Sequence, residues 1–328
     1  MSHGNTDSTL GLALGNLDIL PAMPAIAHKL LALALDTDEG EAQMLSLIGQ
    51  DPQLSAKIIG LANSPAMGIG RSVHSIHDAA MLLGLQRLKS VSIGVATLTK
   101  LTNRPASKHF DPQNLWSHSI TIAIVMNLLA QAMPEEARPG ESQTFLAGLL
   151  HDIGLMALHH LDFAACDELH HQLRLQPKRS IYEIEMELLG TTHGHIGAQL
   201  AQYWNLPAEI VAVLEHHHAA QNVDAAPANL LARMINISER LLLDFGMAEH
   251  HKNAISDNEW QELGIAPERA SDIVAMVSEV AIQVVQLPET EEVSRSAGEP
   301  NKPATPKTVE SAPPAPKGMM SWLGRMLH

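Results

Sequence analysis

LAGLLHDIGLMALHH, residues 146–160, decides how this chain is read. Its Leu, Ala and Met residues are good helix formers and continue at helical spacing on both sides of His151-Asp152. Helix propensity gives no reason for Asp in such a run. An imidazole beside a carboxylate puts two groups that resist burial where a core belongs. Burying them costs on the order of several kcal/mol unless a partner satisfies them. We therefore expect a helix over 142–160 with His151 and Asp152 in its middle. Either they hold a metal or they are what is left of a site that did.

The same helical pattern extends outward. Leu and Ala dominate the apolar set, aromatic residues are 3% of the chain, and strand-like alternation is scarce, so an all-α fold is expected. Pro24 suits a first helical turn, with Ile26, Leu30, Leu31 and Leu35 on one stripe. Asp51-Pro52 is a cap followed by proline and launches QLSAKIIGLAN, which Asn63-Ser64-Pro65 stops. Asp51 reads as a cap and Asn63 as a turn or subdomain hydrogen bond. Ser75 can cap IHDAAMLLG, and LQRLKSVSIGVATLTKL continues as another helix. Asp111-Pro112 repeats the cap and sets Leu115, His118, Ile122, Val125 and Leu129 along one face. Further helices fit 162–176, 180–189, 193–204, 208–218, 226–244 and 267–287. AAMLLGLQRLKSV has the length and central glycine of a helix-turn-helix, but apolar helices joined at a glycine read as core packing.

Residues 1–15 form a loose leader, 16–110 an N-terminal helical subdomain and 111–287 a second one. From 288 to 317 the chain carries Pro288, Pro300, Pro303, Pro306, Pro313, Pro314 and Pro316 among Glu, Ser, Thr and Ala, the composition of a disordered linker. As a coil it would reach on the order of 30 Å. Residues 318–328, GMMSWLGRMLH, close the chain with Met319, Trp322, Leu323, Met326 and Leu327 at helical spacings. These five are candidate anchors for a partner's groove. Adsorption to a membrane has only Lys317 and Arg325 to support it, and folding back onto the chain's own surface is a third course.

The formal charge of −15 opposes binding to nucleic acid or to an anionic membrane. The lone cysteine, Cys166, excludes an intrachain disulfide and reads as a buried thiol in a reducing compartment. No apolar run approaches the ~20 residues of a membrane span, and MSHGNTDSTLGLALGN lacks the features of a signal peptide. A cytoplasmic protein is expected.

Among nineteen histidines, a few are singled out by their setting. His118 faces inward, one turn from Ile122. His193 opens the helix GHIGAQLAQYW after a stop and cap at Gly190-Thr191-Thr192. His216-His217-His218 ends AEIVAVLEHHH, where a helix C-terminus also favours histidine for electrostatic reasons alone. Glu239 shares an inward row with Ile235 and Leu242. Imidazole and carboxylate together are ligands for Mn, Fe, Ni or Zn, as one ion or two. A shared carboxylate could bridge two ions and help generate hydroxide for phosphoester attack.

The ordered set His118, His151-Asp152, His193, His217-His218 and Glu239 is similar to the H…HD…H…HH…D pattern of the HD phosphohydrolase superfamily. The surrounding words are more specific: LPAMPAIAHKL (20–30), IGQDPQLSAKIIGLANS (48–64), SIHDAAMLLGLQRLK (75–89), LWSHS (115–119), FLAGLLHDIG (145–154) and HGHIGAQLAQYWNLPAEIVAVLEHHH (193–218). Over about residues 14–245 they closely resemble the HDOD domain, an HD-related output domain of bacterial signal transduction. The resemblance implies an N-terminal helical subdomain packed on an HD-like helical bundle. It implies one ion held by His118, His151, Asp152 and Glu239. A second would use His193 and His217, with His218 beside them and Asp152 bridging.

Three departures bear on activity. Glu239 stands where the pattern has Asp, Leu155 where HD-GYP phosphodiesterases of cyclic di-GMP have lysine, and AAQNVDAAPA where they have a Gly-Tyr-Pro loop. Two substrate-positioning devices are thus missing, and positioning accounts for much of a rate enhancement. The expectation is a regulatory module that binds a signalling protein or a cyclic or other nucleotide. The alternative is a metal-dependent phosphohydrolase acting on a nucleotide or phosphodiester.

Overall fold

Helix after helix in the computed structural model begins at a side chain that satisfies the first free amides. Thr37 Oγ1 accepts from Gly40 N–H (3.1 Å), Asp51 Oδ1 from Gln53 and Leu54 (3.0 and 2.9 Å), Ser75 Oγ from Asp78 (3.0 Å) and Asp111 Oδ1 from Gln113 (2.9 Å). The structure describes residues 21–64, 67, 70–101, 105–218, 226–242 and 254–285. Among these there is no strand. The expected leader at 1–15, linker at 288–317 and terminal peptide with Met319, Trp322, Leu323, Met326 and Leu327 lie outside them.

The helices run α1 Ala25–Ala32, α2 Asp38–Gly49, α3 Pro52–Ala62, α4 Ile76–Leu83, α5 Leu85–Leu101, α6 Pro112–Ala132, α7 Glu141–Leu150, α8 Ile153–Leu161, α9 Phe163–Leu175, α10 Ile181–Leu188, α11 His193–Tyr203, α12 Ala208–His216, α13 Ala226–Leu241, α14 Asp257–Glu262 and α15 Ala270–Val285. α1, α3 and α4 pack on α5, and α5 lies against α7. There Gly94 admits Leu149, whose Cδ2 would stand 2.0 Å from an added Cβ. α6 forms the axis of the remainder, covered by α7, α13 and α15, while α8, α11 and α12 stack beside it. Asn63 ties the first group together, pairing both amide atoms with the Val73 backbone at 2.7 and 2.8 Å.

Several expectations need correction. The single helix over 142–160 is two helices, α7 and α8, because the chain turns at His151-Asp152. Asp152 leaves the helical region (φ −99°, ψ 16°), and its carbonyl accepts from Leu155 N–H three residues on (3.0 Å). Tertiary contact explains the turn. Gly154 seats α8 against the start of α11 so closely that an added Cβ would lie 1.8 Å from the His193 carbonyl oxygen. The first helix ends at Ala32, so Leu35 lies outside it; Lys89 Nζ reaches over to cap the Leu33 carbonyl (2.6 Å). α14 is a helix the pattern did not indicate, although Ser256 and Glu259 form a capping box there. Finally, α6 is long and apolar enough by length and composition to span a bilayer, contrary to the sequence expectation, but most of it is buried against its neighbours.

Candidate metal centre

The turn between α7 and α8 carries His151 and Asp152 into the middle of the helices that surround them. α6 contributes His118, the start of α11 His193, the turn after α12 His217 and His218, and α13 Glu239. All seven residues expected from the sequence are brought together. His151, His193 and His217 are buried to 1% exposure or less, as is Asp152; His118 and Glu239 retain 8% and 7%.

Asp152 stands between two groups. Its Oδ2 lies 3.0 Å from His151 Nε2 and 3.4 Å from His118 Nε2, and Glu239 Oε1 is 3.5 Å from the same His151 nitrogen. Its Oδ1 lies 3.4 Å from Nε2 of both His193 and His217. His218 Nε2 completes the second group, 3.0 Å from His193 Nε2. Despite this crowding, neither Asp152 oxygen accepts a well-formed hydrogen bond.

Three rings are held from behind. His151 Nδ1–H donates to the Gly148 carbonyl (2.8 Å), His217 Nδ1–H to the Leu214 carbonyl (2.9 Å) and His193 Nδ1–H to Glu185 Oε1 (2.7 Å). These donors fix the tautomer, so each Nε2 turns its lone pair inward, as ligating histidines do. Nevertheless the inward nitrogens approach one another, 3.2 Å for His118–His151 and 3.1 Å for His193–His217. At that distance each pair needs a proton or a metal ion between its nitrogens.

The spacing fits an ion. Bonds of ~2.1 Å place neighbouring ligand atoms ~3.0 Å apart in octahedral and ~3.4 Å apart in tetrahedral geometry, the range seen here. Within each group the candidate donor atoms all lie within 4.8 Å of one another. Each group could therefore hold a divalent ion.

The electrostatics show what the site does without one. Burial resists charging His151, but Asp152 and Glu239 outweigh it and raise its pKa to about 9. His193 is raised well above the usual range, again against burial, by Glu185 and Asp152. Asp152 is held well below the carboxylate range, the imidazoles led by His151 overcoming the opposing effect of burial. Burial, with the neighbouring His193 charge, lowers His217. The carboxylates thus draw protons onto the nitrogens that would bind metal.

Glu185 was not singled out in the sequence. It lies in YEIEMELLG between the exposed Glu183 and Glu187, and its burial and its contact with His193 distinguish it. A second histidine group lies apart from the centre. His159 and His170 pack on Phe110 at ring distances of 4.9 and 4.5 Å, and Asp167 accepts from His109 N–H (2.6 Å). They strap the segment joining α5 to α6. Cys166 is a buried free thiol beside them.

A helical bundle centred on an HD motif, with histidines and carboxylates converging from its core helices, defines the HD-like class. The HDOD domain family matches residues 20–220, and the chain belongs to it. An uncharacterized protein of Treponema pallidum (strain Nichols) is 26% identical over 227 residues, covering 67% of this chain and 41% of that one. Among solved structures, a Marinobacter aquaeolei VT8 protein assigned provisionally to signal transduction superposes with a TM-score of 0.69 at 25% identity, covering 84% of this chain and 63% of that one. A Shewanella amazonensis SB2B protein assigned provisionally as a phosphohydrolase gives 0.56 at 25% identity, covering 89% and 95%. The chain thus spans less than two thirds of the first two of these relatives.

Proposed function

We propose that this protein is a signal-transduction module whose core holds one or two divalent ions and which acts by binding partners. One observation carries the metal reading: Asp152 offers one oxygen to each of two ligand groups whose imidazoles are oriented from behind. In this reading His118, His151, Asp152 and Glu239 form one set. His193, His217 and His218 share Asp152 to form the other. A bound ion would supply positive charge and Lewis acidity, choosing among Mn, Fe, Ni and Zn by ligand type and geometry.

The chain's own residues favour regulation over turnover. Six of the seven candidate ligands are buried and only His218 keeps partial exposure, which restricts the approach of a bulky phosphodiester. Leu155 is itself buried at 0% exposure and packs in the core, so it leaves that position without a substrate-positioning cation. The arginines flanking Glu239 on α13, Arg233 and Arg240, are engaged by Glu262 and Glu259. Burial suits a different use: ligands drawn from α6, α7–α8, α11, α12 and α13 would be cross-linked by the ion, so that metal state sets the rigidity of the bundle. A signalling protein is the partner we expect, with a cyclic or other nucleotide as the alternative. The terminal peptide is a proposed anchor, so removing residues 318–328 weakens partner capture and leaves the body folded. The cytoplasm, where Cys166 stays reduced, is the proposed location.

The shared carboxylate favours a second reading, metal-dependent phosphohydrolysis of a nucleotide or phosphodiester. One experiment separates the two. The purified full chain is analysed for bound metal, then Mn- and Fe-loaded forms are assayed on a phosphodiester panel beside Asp152→Ala. Metal that the variant lacks, with no Asp152-dependent turnover, supports the regulatory reading. Asp152-dependent hydrolysis would establish the second, and a wild type that takes up no metal would defeat the metal centre in both.

A further inference from the structure

We propose that Glu185 is a positioning residue for the ligand set His193, His217, His218 and Asp152, acting through His193. The proposal rests on the metal reading above. It starts from a difference among the three oriented histidines. His151 and His217 stand just past the ends of α7 and α12, so each finds its Nδ1 acceptor three residues back, at a carbonyl its own helix supplies. His193 is the first residue of α11 and has no helical turn behind it. Its acceptor must come from elsewhere, and α10 supplies Glu185.

The arrangement is specific. Glu185 Oε1 accepts from both the backbone N–H of His193 (3.0 Å) and its Nδ1–H (2.7 Å), fixing the ring and the helix start together. Glu185 is wholly buried, and its Oε2 has no hydrogen-bond partner. A carboxylate in that position is costly unless positive charge lies within reach. A divalent ion on the far side of the His193 ring would provide it. A charged acceptor also holds the ring more firmly than a carbonyl and makes it a better donor to metal. The geometry therefore ties the second set to Glu185 and leaves the set of His118, His151 and Glu239 with its own support at Gly148.

The test is Mn(II) titration of the stripped full chain in four forms: wild type, Glu185→Gln, His193→Ala and the double variant. Thermal unfolding of the metal-free forms checks their folding. Glu185→Gln is expected to weaken Mn(II) binding ~10–100-fold with wild-type His193 and to change nothing further in the His193→Ala background. Unchanged affinity in Glu185→Gln, or an equal loss in both backgrounds, would overturn the role. Should the variant not fold, ¹⁵N spectra of the metal-loaded wild type decide. A proton on His193 Nδ1 and none on Nε2 upholds the role, and the opposite tautomer overturns it. Wild type that binds no Mn(II) would instead mark failure of the metal reading itself.

Discussion

The Nε2 atoms of His193 and His217 stand 3.1 Å apart, although each ring has its Nδ1 proton directed the other way, to Glu185 and to the Leu214 carbonyl. Both nitrogens therefore bring lone pairs to one point. Something positive must separate them, a proton in the empty site or a metal ion in the filled one.

That exchange predicts a pH dependence of metal uptake. His151, with its pKa raised to about 9, is protonated at neutral pH in the metal-free protein and must lose the proton to ligate. Binding should release at least one proton, measurable as acid in an unbuffered titration. Apparent affinity of the group around His151 should rise with pH from 7 toward 9. An affinity flat across that window would contradict the assignment of His151.

The two ligand groups should be separable by mutation. His118→Ala removes a ligand from the group around Asp152 Oδ2, and His218→Ala one from the group with His193, the His218 ring reaching Glu239 of the first group only at 3.9 Å. Each should lower the bound metal by one ion where two are held, while Asp152→Ala removes all of it. Elemental analysis of the dialysed variants checks this pattern. Equal losses in His118→Ala and His218→Ala from a protein holding one ion would indicate a single shared site.

Much of this was legible in the sequence because it is local. Asp51, Ser75 and Asp111 announce their helices by side chains that cap the next amides, and His118 falls on its buried face by helical period alone. The break at Asp152 was not legible. Apolar periodicity runs through it without interruption, and the turn is set by α11 arriving at Gly154, a contact about forty residues away along the chain. Glu185 was passed over although the helical period sets it one turn after Ile181 on the buried face, with Glu183 and Glu187 toward solvent; what the period does not reveal is its contact with His193 in the next helix.

Gly154 offers a direct check on that packing. In Gly154→Ala the new methyl would sit 1.8 Å from the His193 carbonyl oxygen and 2.9 Å from Gly197 N, both backbone atoms that cannot turn aside. Overpacking of this kind costs about 1–3 kcal/mol or more. The midpoint of thermal unfolding should fall, and metal affinity should fall with it as α8 and α11 move apart. A variant with wild-type stability would show that the contact is looser than described.

Acid stability should depend on His170. Burial, aided by the Arg174 charge, lowers its pKa to about 4 in the folded chain, against the hydrogen bond its Nδ1 makes to the Cys166 carbonyl (2.9 Å). Between that value and the usual value near 6.5, the unfolded chain binds a proton that the folded chain refuses. Stability is therefore intact above about pH 6.5, falls as the pH drops toward 4, and stops falling on this account below it. The loss is on the order of 3 kcal/mol. His170→Phe, which keeps a ring against Phe110, should flatten the denaturant-midpoint profile across that window relative to wild type. Parallel profiles would contradict a neutral buried His170.

The most direct measurement of the central claim is anomalous diffraction from crystals of the full chain grown with Zn(II). The account predicts density within one or both groups, with Asp152 ligating and Nε2 of His151 or His193 at about 2.0–2.1 Å. Two peaks sharing Asp152 would fill both sets. No anomalous peak within bonding distance of Asp152 would contradict it.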